Sequence, residues 1–123
     1  MKANAPGEII HMSFITITTR MEGRVSILIA VDNYSGYVFG TAVETEVSFQ
    51  SVSRHIDAIL KSIQHRHPHT MPLFITAYGS ELVKQLEIKY APKARFLFDP
   101  VVADEVAMPA AKDLLKRLHN GSC

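Results

Sequence analysis

Hydrophobic and polar positions follow a period of two over the first third of the chain and a period of three to four over much of the rest. From Ile9 to Thr19 the residues are β-branched or aromatic with partial alternation (Ile9, Phe14, Ile15, Thr16, Ile17, Thr18), which predicts a first strand. Met21-Glu22-Gly23-Arg24 turns into a second. Val25 to Val31 is apolar at every position except Ser26, a pattern suited to a strand buried on both faces. Asp32-Asn33-Tyr34-Ser35-Gly36 supplies turn chemistry, and a third β-rich run spans Tyr37 to Val43, finished by Thr41 to Thr45. Connections this short make the three strands antiparallel.

The period then changes. Phe49, Val52, Ile56, Ile59, Leu60 and Ile63 recur at helical steps, Ser48 is the N-cap, and Pro68 closes the segment. Met71 to Thr76 is a short apolar strand after a long crossover, so it runs parallel to the strand it joins. Gly79-Ser80 opens a second helix with Leu82, Val83, Leu86 and Tyr90 inward, ended by Pro92, and Ala94 to Phe98 makes a fifth strand. After Asp99-Pro100 a last helix carries Val106, Ala110, Leu114, Leu115 and Leu118, with Asn120-Gly121 as its cap. Residues 1–8, containing Asn4, Pro6 and Gly7, read as a flexible lead-in, and residues 9–123 as one domain. The order β-β-β-α-β-α-β-α is that of an α/β protein, a five-stranded mixed sheet with helices on both faces.

Composition narrows the partners. With 123 residues and 47% hydrophobic content the chain sustains one core, and its apolar runs of about seven residues fall far short of the roughly 20 that cross a bilayer. The N-terminus lacks the order of a secretory signal, so a soluble, cytoplasmic protein with no membrane partner is expected. A net charge of +1 creates no global basic field, so contact with DNA requires a local patch. Cys123 is the single cysteine and forms no internal disulfide.

Three stretches carry a resemblance: the hairpin Val31-Asp32 with Tyr34-Ser35-Gly36-Tyr37, the segment Ile75-Thr76-Ala77-Tyr78-Gly79-Ser80-Glu81-Leu82, and His11-Met12-Ser13-Phe14. Together they resemble the catalytic core of retroviral integrases and bacterial transposases, a ribonuclease H-like family, over nearly the whole chain. The resemblance implies a ribonuclease H-like sheet of order 3-2-1-4-5, with the fourth and fifth strands parallel to the first. It also implies two-metal chemistry on DNA, in which carboxylates hold magnesium or manganese ions about 3.5–4 Å apart.

The acids that such chemistry needs are missing from their places. Where the family has its first aspartate this chain has Ser13, and where it has the second, Ala77. Matching Lys112-Asp113-Leu114 to the family's lysine-acid-leucine segment puts Met108 at the third acid, with Glu105 the nearest carboxylate. The expectation is an integrase-like core from a mobile element with vestigial catalytic positions, no metal cofactor as written, and a residual role in DNA binding or homodimerisation. Two alternatives stay open. One is an active polynucleotidyl transferase or nuclease whose acids were replaced by design or taken over by Glu8, Asp104 or Glu105; the other is a protein-interaction domain that shares only the fold.

Among the remaining polar residues, Asp32 reads as an acceptor for turn amides and Glu81 as a favourable charge at a helix start. His65-Arg66-His67-Pro68-His69 suits the negative end of a helix better than a zinc or nickel site. His11 reads as a partly exposed strand residue. Lys112 and Lys116 share a face of the last helix, with Arg117 and His119 nearby, and are the candidate DNA contacts.

Overall fold

The computed structural model describes residues 2–21 and 23–121, apart from the side chains of residues 40, 41 and 118–121. Its elements are β1 (Ile9–Thr19), β2 (Gly23–Asp32), β3 (Val38–Glu44), α1 (Phe49–Arg66), β4 (Leu73–Thr76), α2 (Ser80–Tyr90), β5 (Arg95–Phe98) and α3 (Pro100–Gly121). The strands lie in the order β3-β2-β1-β4-β5. The first three pair antiparallel, and β4 and β5 run parallel to β1, which is the ribonuclease H-like arrangement expected.

The unbroken apolar run of β2 follows from its place in the sheet. Leu28 and Ala30 join Ile10, Met12 and Phe74 in a core sealed by Val52, Ile56 and Ile59 of α1 and Leu86 of α2. On the opposite face Ile29 and Val31 pack against Ala107 and Ala111 of α3. Ser26, the polar exception, is hydrogen-bonded to the Thr16 hydroxyl at 3.1 Å, so its burial leaves no unmet polar group.

Helix α1 starts where the sequence places it. The Ser48 hydroxyl accepts from Ser51 N while the Ser51 hydroxyl accepts from Ser48 N, a reciprocal cap that satisfies two otherwise orphaned amides. At the β2–β3 turn, Asp32 Oδ2 accepts from the Ser35 hydroxyl at 2.8 Å and Oδ1 from Tyr34 N at 3.2 Å. Gly36 completes this turn at φ +75°, a region that β-carbon-bearing residues avoid.

In the N-terminal segment Ala3 N donates to Asn33 Oδ1, Asn4 N and Ala5 N donate to Glu8 Oε1, and Ala3 is buried against Ile9 and Ile75. In α3 the buried face is the alanine stripe Ala103, Ala107 and Ala111, while Val106, Ala110, Leu114 and Leu115 are only partly buried. Small side chains let the helix axis approach the sheet closely, so the larger residues lie beside the contact line. Leu118, His119, the expected Asn120-Gly121 cap and Cys123 fall outside the described side chains. No helix among the described residues is long and apolar enough to cross a membrane.

Candidate functional site

Parallel pairing of β1 with β4 sets Met12 opposite Thr76, and one step further Ala77 N donates to the Met12 carbonyl at 3.0 Å. Ser13 and Ala77 are therefore neighbours where β4 ends. Ala77 packs with the Ile9, Ile75 and Ala103 cluster, which lies under α3. Ser13 is 2% exposed, and its hydroxyl donates to Asp104 Oδ1 of α3 at 2.7 Å. A hydroxyl held this close to an ionised carboxylate makes one of the stronger hydrogen bonds in a protein.

The carboxylate that meets Ser13 thus belongs to Asp104, and neither Glu105 nor Met108 takes that place. Successive helical residues are rotated by about 100°, so with Ala103 and Ala107 against the sheet Asp104 flanks the contact while Glu105 is exposed. Met108, one turn beyond Asp104, is partly buried and offers no oxygen. Glu8 is engaged by the Asn4 and Ala5 amides. The groups at Ser13, Ala77 and Asp104 are one neutral hydroxyl, one methyl and one carboxylate. A pair of hard divalent cations needs several anionic oxygens, and these residues do not fit it. Among the described residues no three His, Cys, Asp or Glu side chains converge as metal ligands, those of the His65–His69 run included.

Beside Ser13 on the same strand face lies a residue whose role the sequence concealed. His11 is 1% exposed, against the expectation of a partly exposed side chain. Its Nε2 is 2.8 Å from Asn33 Nδ2, and its Nδ1 is 2.8 Å from the Val102 carbonyl in the first turn of α3. Because Asn33 Oδ1 accepts from Ala3 N, the Asn33 amide nitrogen faces the ring, Nε2 is the acceptor and Nδ1 carries the proton. Burial holds the His11 pKa below 6.5, opposed by the Val102 carbonyl and the negative charge of Glu105. A neutral imidazole with both nitrogens engaged joins the N-terminal segment, the hairpin and α3; it is not poised to take a proton from a substrate.

Lys112 and Lys116 are exposed on α3 beyond Met108 and enter no ion pair among the described residues. Arg117 is paired with Asp113 at 3.0 Å, which cancels its charge locally. Glu81 faces Lys84 at 3.8 Å on the exposed side of α2.

Strand order, crossover and the convergence of β1, β4 and α3 are those of a ribonuclease H-like fold. Among solved structures, the catalytic core domain of the HTLV-2 integrase, in complex with magnesium and in a trimeric form, has this fold. It superposes with a TM-score of 0.64 at 15% identity, over 98% of this chain and 74% of that one. No family model and no curated protein matches the sequence.

Proposed function

We propose that this chain is an integrase- or transposase-like core from a mobile element that no longer cuts or joins DNA and acts through binding, to DNA and to a second copy of itself. The observation that carries this reading is the Ser13–Asp104 hydrogen bond. At the position of a family aspartate stands a hydroxyl, and the nearby carboxylate, that of Asp104, accepts from it through Oδ1. Ala77 adds nothing that a cation could use, and one acid cannot align a nucleophile and a leaving oxygen around two metals. The two exposed lysines of α3 supply a local basic patch for DNA phosphates. A cytoplasmic homodimer completes the proposal.

Manganese binding, followed through water-proton relaxation, tests it. The expected result is no saturable site in the chain as it stands and a saturable one in Ser13→Asp/Ala77→Asp. Saturable binding by the unaltered chain that Asp104→Ala abolishes contradicts the proposal. The binding role is checked by gel shift with duplex DNA, which Lys112→Glu/Lys116→Glu weakens and moderate salt suppresses.

A further inference from the structure

A cavity of about 460 Å³ opens on the opposite face of the sheet from Ser13, between the β2–β3 turn and the C-terminus of α1. The register separates the two places: Ser13 faces Ile29 across the β1–β2 ladder, whereas Asp32, which lines the cavity, faces Ile10 at the start of β1. Ile63 and Phe39, also in its lining, belong to the α1 side of the sheet, not to the α3 side where Ser13 and Asp104 meet. We propose that this cavity receives one unpaired base of a single-stranded nucleic acid, with the adjoining phosphates on Arg66.

The volume lies within the range of about 300–1,000 Å³ usual for small-ligand sites. Its aromatic surface comes from Tyr37 and Phe39, which meet edge to face with centroids 5.1 Å apart. The Arg66 guanidinium lies 5.3 Å from the Tyr37 ring centroid and makes no ion pair among the described residues. Tyr37 is 46% exposed, so this stacked pair stands at the mouth of the cavity, open to solvent. The negative end of the α1 dipole favours the cation there, and the run from His65 to His69 contains no acid to neutralise it. A cation for phosphate beside an aromatic face for a base is the combination that single-strand sites use.

Asp32 sets the orientation. Its carboxylate accepts from Gly7 N, Tyr34 N and the Ser35 hydroxyl, and its charge repels phosphate from the interior. With Asp32 itself only 2% exposed, phosphates are left at the Arg66 rim and the flat face of a base is the favoured group inside. A base stacked and paired within a duplex cannot enter the cavity, which is why the proposal commits to a single strand.

The test is fluorescence anisotropy with labelled oligothymidylate, which forms no duplex with itself, at low salt. It is run in the Lys112→Glu/Lys116→Glu background so that contacts made by α3 do not contribute. Binding is expected to persist in that background, to weaken about tenfold or more with Tyr37→Ala and with Arg66→Ala, and to survive Tyr37→Phe. Urea midpoints of the variants distinguish a lost contact from a lost fold. The proposal is overturned by the absence of single-strand binding in that background, by binding indifferent to both substitutions, or by a loss that Tyr37→Phe shares with Tyr37→Ala. A mononucleotide that binds as tightly as the oligonucleotide also overturns it, assigning the cavity to a free nucleotide. None of these outcomes touches the manganese experiment, so the two proposals fail separately.

Discussion

Replacing Ser13 by aspartate places a second carboxylate against Asp104, at a site where the present hydroxyl-to-carboxylate distance is 2.7 Å. Two unit charges about 3.5 Å apart repel by roughly 5 kcal/mol at an effective dielectric of about 20. The pair escapes part of this by retaining one proton. Holding a proton at pH 7 on a group whose free pKa is near 4 costs up to about 4 kcal/mol, at about 1.4 kcal/mol per unit. Asp104 is only partly buried, and water lowers both figures. The expected loss for Ser13→Asp is therefore about 2–3 kcal/mol at pH 7, before any metal is added. Its pH dependence has a definite sign. The shared carboxyl has a folded pKa raised above its unfolded value, so the loss is small near pH 4 and grows as pH rises toward the raised pKa. Urea denaturation of the parent and the variant between pH 4 and 8 measures it. Asp104→Asn in the Ser13→Asp background removes most of the penalty. A variant as stable as the parent at pH 7, or a loss that ignores pH, refutes the contact on which the site is built.

Three further predictions use the same urea assay. His11 is held neutral with a folded pKa below 6.5, so stability is full above the unfolded pKa and is lost as pH falls through the lowered folded value; His11→Gln flattens that limb. Ser48→Ala opens the reciprocal cap of α1 and lowers stability by about 1 kcal/mol, whereas Ser48→Asp largely retains it. Pro109 lies inside α3 on its exposed side and withholds an N–H from the Glu105 carbonyl, so Pro109→Ala raises stability by about 1–2 kcal/mol.

The fold was legible in the chain because its cues are local and mutually consistent. Val25–Val31 declared an inner strand by having no polar face, Ser48 declared a helix start, and Asp32 with Gly36 declared a tight turn, each confirmed by hydrogen bonds or backbone angles. The candidate site was legible only in part. Ser13 and Ala77 were marked by the family resemblance and their adjacency by strand order, but the partner of Ser13 depended on the rotational phase of α3. That phase is set by Ala103, Ala107 and Ala111, which a reading weighted toward leucine and valine overlooks. The stripe of alanines at four-residue steps was the available signal, and it turns Asp104 toward Ser13 and Glu105 away. His11 escaped because its partners are 22 and 91 residues distant in sequence, and no local pattern announces such a contact. The hydrogen bonds from Ala3 N and Gly7 N were hidden for the same reason, since their acceptors on Asn33 and Asp32 belong to the distant hairpin.

The central claim is that a hydroxyl, a methyl and a single carboxylate cannot hold the two metals of phosphodiester chemistry. Nicking of end-labelled duplex DNA in manganese, with the chain as it stands beside Ser13→Asp/Ala77→Asp, measures this directly. The account predicts no nicking above buffer for the unaltered chain at any manganese concentration. Manganese-dependent nicking by that chain, abolished by Asp104→Ala or by Glu105→Ala, contradicts it and requires an active site built on those acids.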